Sequence, residues 1–243
     1  MHFTLLLPLL AATAYAAPVE DRVKRAGCSS YTIINTRGTG EIQGESSGFR
    51  TMNGNIQSQV KGGKTYNTVY PAGADQNSAA GTADIVKQVE SGLQSNPSQC
   101  FILEGYSQGA AATVSAMSQL TGASFDAVKG VFLIGNPDHK SGLACNVDNK
   151  GGNTTKNVNG LSAMLGKSIP NEWVSKTMDV CIYVSEAITV SYLRMYALLI
   201  SLQGDGVCDT THGYGINAAH LQYPMDSNTQ ELGTNFVVKQ LTA

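Results

Sequence analysis

Short apolar runs recur along the chain and are separated by stretches richer in polar residues. Runs that are β-branched or continuously apolar are typical of strands, and strands buried on both faces show no alternation. On this basis we predict five strands: YTIINT (Tyr31–Thr36), TYNTVYP (Thr65–Pro71), CFILE (Cys100–Glu104), GVFLIG (Gly130–Gly135) and MDVCIY (Met178–Tyr183).

Helical periodicity occupies several of the intervening stretches. In TADIVKQVESGL (82–93), Ile85, Val86, Val89 and Leu93 recur at the spacing of one helical face. AAATVSAMSQL and the C-terminal stretch around TQELGTNFVVKQL also predict helices. Strands that alternate with helices favour a parallel sheet wrapped by helices. The predicted fold class is therefore α/β, a single domain with a central, mostly parallel sheet flanked by helices.

Composition narrows the choice of partners. The chain has 243 residues, 42% of them hydrophobic, which is enough to bury one substantial core. A net charge of −2 and only 14% charged residues give no electrostatic reason to expect nucleic acid or an anionic membrane as a partner. We expect a monomer that binds neither nucleic acid nor, as an integral protein, a membrane.

The N-terminus has the pattern of a secretory signal. An apolar run is followed by Ala14-Tyr15-Ala16, a small-x-small cleavage site, which predicts a signal peptide over residues 1–16. The dibasic pair Lys24-Arg25 then predicts a propeptide over 17–25, so that the folded domain spans 26–243. The protein is expected to be secreted and extracellular, where disulfides persist.

Five cysteines and one glycosylation sequon fit this extracellular setting. An odd number of cysteines leaves at least one of them outside intramolecular pairs, and the sequence alone does not fix the pairing. Asn153-Thr154-Thr155, in the polar stretch NKGGNTTKN, predicts a glycosylated surface loop at Asn153.

The sharpest chemical motif is EGYSQGA, which follows a predicted buried strand and precedes a predicted helix. Gly105-Tyr106-Ser107-Gln108-Gly109 fits G-x-S-x-G, the turn that exposes a strained nucleophilic serine between strand and helix. Glycines two residues to either side allow the strand and helix to approach closely. The helix N-terminus favours developing negative charge nearby. Ser107 is therefore the predicted nucleophile.

A serine hydroxyl needs a base, and the base needs a carboxylate that orients it. In α/β folds with this turn the chain order is serine, acid, histidine. His212 and His220 remain as candidate bases, with Asp205 and Asp209 as candidate acids. The sequence pattern favours His220, which follows a small-residue stretch in AAHLQYP. His139, in NPDHK, precedes every late acid, and we predict it to be a solvated loop histidine.

Three motifs in this order, GYSQGAA, GDGVC and HLQY, resemble the fungal cutinase family of secreted α/β-hydrolases. The resemblance extends from about Cys28 to the C-terminus, except for one oily segment. It implies Ser107 as the nucleophile, Asp205 as the orienting acid and His220 as the general base. Acetylxylan esterases share this fold and the GYSQG turn, so they remain the close alternative.

The resemblance also implies an oxyanion hole and a disulfide framework. TRGTGE matches the turn where the family places its oxyanion-hole hydroxyl, here Thr39, with the backbone N–H of Gln108 as the second donor. A Thr39 hydroxyl bonded within its own turn is compatible with that role. The implied disulfides are Cys28–Cys100 and Cys181–Cys208, which leaves Cys145 as the unpaired thiol.

The oily segment interrupts the stretch that carries the acid. If residues 184–203 are removed, the chain reads CIYGDGVC, with the cysteine spacing of the family. Val-Ser can be encoded by codons that start with GT and Gln by CAG, the borders of a spliceosomal intron. We interpret 184–203 as a translated, retained intron. A lid helix is the rival interpretation, whereas a membrane span is disfavoured because the apolar run is short and contains Arg194.

The sequence thus predicts a serine carboxylester hydrolase that cleaves cutin-like aliphatic polyesters and short- to medium-chain esters. No metal-ligand spacing is visible, and the proposed chemistry requires neither a metal nor an organic cofactor. The alternative of another class is a catalytically inactive secreted binding protein, which would require the 184–203 insertion to be genuine.

Overall fold

The structure is a computed structural model that describes residues 27–184 and 203–243. The predicted signal peptide and propeptide, and residues 185–202 of the predicted insertion, lie outside the described residues. The strands of the described chain are β1 (Tyr31–Thr36), β2 (Gly63–Asn67), β3 (Cys100–Tyr106), β4 (Val128–Ile134), β5 (Asn146–Val147), β6 (Thr177–Val180), β7 (Tyr183–Val184) and β8 (Gln203–Gly204). The α-helices of the described chain are α1 (Arg50–Gln59), α2 (Ala79–Ser95), α3 (Gln108–Met117), α4 (Ala123–Ala127) and α5 (Ser227–Thr242), and two 3₁₀ helices span Ala163–Leu165 and Asn171–Lys176.

Six strands form one parallel sheet in the order β2-β1-β3-β4-β6-β5. The remaining strands, β7 and β8, form a separate antiparallel pair. Parallel neighbours need crossover connections, and helices supply most of these here. The predicted fold class, a parallel sheet flanked by helices, is confirmed.

The central strands are mainly apolar at consecutive positions because both faces of the sheet are covered. Ile33 and Ile102 pack with residues of α1 and α5. Their chain neighbours Ile34 and Leu103 point to the opposite face and pack with residues of α2 and α3. All four side chains are at most 1% exposed. Successive side chains of a strand alternate between faces, so a strand buried on both sides needs apolar residues at consecutive positions.

Some element boundaries differ from the predicted ones. The strand predicted over 65–71 is shifted towards the N-terminus, and β2 ends at Asn67. Beyond that point the chain leaves the sheet, and the Val69 N–H donates to the Asp84 carboxylate instead of a neighbouring strand. The strand predicted over 178–183 is divided into β6 and β7. Helix α1 was not predicted, because only Met52 and Ile56 mark its buried apolar face in a polar stretch.

Candidate active site

Ser107 lies at the turn between β3 and α3, at the carboxyl end of a central strand of the sheet. Its φ of 55° is in the left-handed region, which non-glycine residues seldom adopt. A Cβ at Gly109 would lie 2.2 Å from the Thr36 carbonyl oxygen, and a Cβ at Gly105 would lie 2.6 Å from the Ala110 Cα. The glycines of the motif therefore permit the close strand–helix approach that produces this turn.

The structure brings Ser107, His220 and Asp205 together in one hydrogen-bonded chain. The Ser107 Oγ is 3.0 Å from His220 Nε2, and His220 Nδ1 is 2.8 Å and 2.9 Å from the two Asp205 carboxylate oxygens. The three residues are 5%, 2% and 0% exposed, respectively. Because Nδ1 faces a carboxylate, the ring proton belongs on Nδ1, which leaves Nε2 free to accept the serine proton.

Several groups hold Asp205 in place after the end of the sheet. The Asp205 N–H donates to the Ile182 carbonyl, and the Val207 N–H donates to Asp205 Oδ1. The disulfide between Cys181 and Cys208 closes the loop that carries the aspartate. These contacts fix the carboxylate against the segment that follows β6.

His220 is fixed through both its backbone and its ring. Its N–H donates to the Asn217 side-chain carbonyl, and its own carbonyl accepts a 2.6 Å hydrogen bond from the Tyr106 hydroxyl. The Tyr106 and His220 rings pack with centroids 5.3 Å apart. Tyr106, the residue before Ser107, is a contact that the motif alone did not reveal.

The alternative base and acid form a separate pair. His212 Nδ1 is 2.7 Å from Asp209 Oδ2, and the His212 side chain is 37% exposed. Its ring packs edge-on against Tyr183. The structure therefore brings His220, rather than His212, to Ser107.

The prediction that His139 is a solvated loop histidine is wrong. His139 is 0% exposed; its Nδ1 lies 2.8 Å from Asp179 Oδ2 and its Nε2 lies 3.0 Å from the Thr155 carbonyl. Burial favours the neutral ring, but the Asp179 charge and the hydrogen bonds to Asp179 and Thr155 outweigh it, so that the pKa of His139 is raised. The polar sequence NPDHK gave no sign of an acid partner on β6.

The residues expected to form an oxyanion hole lie on either side of Ser107. Gln108 is the first residue of α3, and the N–H groups of a first helical turn have no acceptor within the helix. Thr39 is half-buried, and its hydroxyl interacts with the Gln76 side chain at 3.1–3.2 Å. A Cβ on the preceding Gly38 would lie 3.4 Å from the Ser107 Cβ, so the Thr39 turn adjoins Ser107.

Glu41 organises the turn that carries Thr39. One of its carboxylate oxygens accepts from the Gly38 N–H and the Ser46 hydroxyl, and the other accepts from the N–H and hydroxyl of Ser47. The carboxylate thereby ties both ends of this loop together. The quoted motif TRGTGE contains Glu41, but its role depends on serines farther along the chain.

The structure contains the disulfides Cys28–Cys100 and Cys181–Cys208. Cys145 is a free, buried thiol, and burial raises its pKa to about 12. Cys181, Asp205 and Cys208 are the one group of potential metal ligands close enough together among the described residues. Both sulfurs of that group are bonded to each other, so they are not thiolate ligands.

The glycosylation sequon predicted at Asn153 lies in a loop of the domain. Asn153 is exposed in a loop, as a glycan acceptor must be. The hydroxyl of Thr155, which completes the sequon, is buried and donates to the Cys181 carbonyl.

Within the two described ranges, no helix has the length and apolarity needed to cross a bilayer.

A parallel sheet with helices on both faces and a serine at the strand–helix turn define the class of α/β-hydrolases. Within that class the chain belongs to the cutinase family, whose pattern it matches over residues 27–241. It is therefore a carboxylic ester hydrolase.

Individual relatives agree with this assignment. A cutinase of Monilinia fructicola is 33% identical over 145 residues, which covers 56% of this chain and 69% of the relative. The carboxylesterase Culp1 of Mycobacterium tuberculosis is 29% identical over 177 residues, which covers 68% of this chain and 72% of the relative.

Solved structures extend the comparison. A cutinase-like protein from Cryptococcus sp. is 57% identical with a TM-score of 0.79, covering 89% of this chain and 97% of that one. The catalytic core of the acetyl xylan esterase from Trichoderma reesei, 21% identical with a TM-score of 0.64, covers 88% of this chain and 100% of that one. That second likeness concerns the fold alone.

Proposed function

We propose that the protein is a secreted serine esterase of cutinase type, which cleaves cutin-like aliphatic polyesters and short- to medium-chain esters through an acyl-enzyme intermediate. The observation that carries the proposal is the continuous hydrogen-bonded chain from Ser107 Oγ through His220 to Asp205. The two disulfides support an oxidising, extracellular setting. We further propose that the protein acts as a monomer.

The reaction begins when Ser107 Oγ attacks the ester carbonyl carbon and His220 Nε2 takes the serine proton. The negative charge that develops on the carbonyl oxygen is stabilised by the Gln108 N–H and the Thr39 hydroxyl. His220 then gives the proton to the leaving alcohol, which leaves an acyl group on Ser107. His220 then takes a proton from water, which attacks the acyl carbon; the bond to Ser107 Oγ breaks, His220 returns the proton to that oxygen, and the carboxylic acid is released. Asp205 keeps the imidazole oriented and stabilises its charged form.

Exposed apolar side chains support a hydrophobic substrate. Several are near in sequence to the proposed catalytic residues: Ile42 follows the Thr39 turn, Leu221 follows His220, and two more lie between Asp205 and His220. These four side chains are Ile42, Tyr214, Ile216 and Leu221, and further exposed apolar side chains of the described chain include Met164, Leu165 and Met225. Apolar groups left in water on functional loops favour contact with an apolar surface.

Substrate comparison tests the proposal. Purified wild type and Ser107→Ala are assayed on p-nitrophenyl butyrate, on an aliphatic polyester suspension and on acetylated xylan. We expect wild type to hydrolyse the first two, and we expect Ser107→Ala to lose at least about a thousandfold in kcat. A strong preference for acetylated xylan would instead identify an acetylxylan esterase.

Active-site labelling separates an enzyme from a non-catalytic binding protein. A fluorophosphonate should label wild type at Ser107 and leave Ser107→Ala unlabelled, because the probe requires an activated serine. Absence of labelling in folded wild type would favour the non-catalytic alternative.

A further inference from the structure

Tyr223 lies directly against the proposed catalytic acid and is 0% exposed. Its hydroxyl oxygen is 2.7 Å from Asp205 Oδ2, on the carboxylate that also receives the His220 ring proton. The same oxygen is 3.1 Å from the backbone nitrogen of Ile182 and 3.3 Å from the Val180 carbonyl. One hydroxyl thus connects the acid to the end of the sheet.

The direction of these hydrogen bonds follows from the donors that are present. The Ile182 N–H donates to the hydroxyl oxygen, so the single hydroxyl hydrogen of Tyr223 is available for another acceptor. The Asp205 carboxylate is closer than the Val180 carbonyl and carries a charge, which makes it the stronger acceptor. Burial, and then the Asp205 charge and hydrogen bond, raise the pKa of Tyr223 far above its usual value. The phenol therefore stays protonated and donates.

We propose that Tyr223 is a positioning residue, which holds the Asp205 carboxylate and, through its hydrogen bond, sets the pH at which His220 becomes an active base. The inference rests on the proposed function. A carboxylate that receives a hydrogen bond from tyrosine has part of its negative charge neutralised, so it favours the protonated imidazole less strongly. Loss of this donor should leave His220 protonated up to a higher pH.

A second tyrosine provides an internal comparison. The Tyr106 hydroxyl also lies at the triad, but it donates to the His220 backbone carbonyl rather than to Asp205. The rings of Tyr106 and Tyr223 pack edge-on, 5.7 Å apart. Removal of the Tyr106 hydroxyl should hold His220 less firmly in place without changing the charge on the Asp205 carboxylate.

Other titratable groups interact with the residues around Asp205 and Tyr223. Burial, and then the charges of Asp205 and Glu41, raise the pKa of Tyr106. The Asp209 backbone N–H donates to the Asp205 backbone carbonyl, and the Asp209 carboxylate binds the His212 ring. Substitution of Tyr223 by Phe leaves all of these groups in place, so a change in pH dependence reports on the Tyr223 hydroxyl.

The experiment compares Tyr223→Phe with two matched hydroxyl deletions, Tyr106→Phe and Tyr31→Phe. Tyr31 is equally buried and donates to the Val60 carbonyl, but it begins β1, at the opposite end of the sheet from Ser107. Each variant is titrated with a fluorophosphonate, so that kcat refers to active enzyme only. The pH profile of kcat/KM on p-nitrophenyl butyrate is then recorded together with thermal unfolding.

We expect Tyr223→Phe to lower kcat about tenfold with KM nearly unchanged, and to move the acid limb of the profile up by about 0.5 to 1 pH unit. Tyr106→Phe should lower kcat without that displacement, and Tyr31→Phe should change stability alone. A Tyr223→Phe profile that coincides with wild type would overturn the inference. Inactive wild type would instead overturn the proposed function, which separates the two failures.

Discussion

Glu104 is a carboxyl group completely enclosed by protein, three residues before Ser107 on β3. Its Oε2 accepts from the side-chain amides of Asn35 and Asn53, and its Oε1 has no hydrogen-bond partner within the described part of the chain. Burial raises its pKa to about 8, against the smaller opposing effect of the two amides. At neutral pH the residue is therefore mainly uncharged.

This carboxyl makes stability fall as pH rises. Between about 4.5, the ordinary pKa of glutamate, and about 8, the unfolded chain gives up the Glu104 proton while the folded chain keeps it. The contribution is thus present at low pH and is lost at a rate of up to about 1.4 kcal/mol per pH unit. We expect Glu104→Gln to flatten the pH dependence of the free energy of unfolding between pH 5 and 8.

Urea unfolding of wild type, Glu104→Gln and Glu90→Gln at several pH values measures this slope. Glu90 is exposed on α2, so its substitution is a matched control that should keep the wild-type slope. Equal slopes for all three proteins would show that Glu104 is already ionised in the fold.

At the residue scale, local patterns could predict Ser107 and favour His220, whereas the choice of Asp205 over Asp209 came from the family resemblance. The strand–turn–helix context limits where a nucleophile can lie, and the chain order limits its partners. The contacts that support these residues could not be predicted in the same way. Tyr223 binds an acid that precedes it by 18 residues, and His139 binds Asp179, 40 residues away. Such pairs exist only after the sheet has brought distant segments together.

At the scale of elements, the segment after β4 links the triad to the sheet. A Cβ on Gly135 would lie 2.6 Å from His220 Cε1, so this turn packs directly against the His220 ring. Four residues on, His139 is held by Asp179 of β6, and its carbonyl accepts from the Gly160 N–H. The buried His139–Asp179 pair thus anchors the segment that supports His220.

His139→Gln should lower the free energy of unfolding by about 3 kcal/mol, because it leaves the buried Asp179 carboxylate without its cation. The pKa of His139 is raised in the fold, so its stabilising contribution is complete below the unfolded value of about 6.5 and is lost as pH rises through the folded value. The difference from wild type should therefore be largest near pH 5.5 and smaller near pH 9.

Urea unfolding at these two pH values provides the measurement, with His212→Gln as the control. His212 also pairs with an aspartate, but its ring is partly exposed, so its loss should cost less than about 1 kcal/mol. A His139→Gln deficit that does not change with pH would contradict a protonated His139.

The elements themselves were predicted where a strand is apolar on both faces or a helix has a broad apolar stripe. β1 is bounded as predicted, since its whole sequence fits a buried strand. Helix α1 was not predicted because its polar residues bind specific partners, which a hydrophobic pattern does not reveal. Asn53, for example, donates to Glu104. The two-residue strand β5 exists only because Asn146 and Val147 pair with β6. Tertiary contacts, rather than local pattern, determine such elements.

At the scale of the whole molecule, the arrangement around the oily segment supports its interpretation as an insertion. Tyr183 pairs with Gly204 and Val184 with Gln203 in antiparallel register. Paired residues of this kind have Cα atoms about 4.5–5.5 Å apart, only slightly more than the 3.8 Å between consecutive residues. Tyr183 could therefore be joined directly to Gly204 with little movement of the Cys181–Cys208 loop.

We expect a variant that lacks residues 184–203 to fold, to form both disulfides and to hydrolyse p-nitrophenyl butyrate at least as fast as the full chain. Removal of twenty residues shortens the Cys181–Cys208 separation from 27 to 7 positions, and a shorter loop holds Asp205 with fewer alternative conformations. Peptide mapping of the disulfides and kcat/KM measured per fluorophosphonate-reactive site test this expectation. A full-length variant with residues 185–202 replaced by a Gly/Ser linker separates the effect of length from that of sequence.

The outcome also distinguishes the origins of the segment. If the deletion variant is active and the cDNA from secreting cells runs directly from the Tyr183 codon to the Gly204 codon, the segment is a retained intron. If the deletion variant folds with both disulfides but loses activity on polyester, and the linker variant loses it too, the sequence of 184–203 contributes to the site as a lid would. Tyr183 and Gly204, the paired residues that flank the segment, permit either result. Their pairing fixes only where the insertion leaves and rejoins the fold.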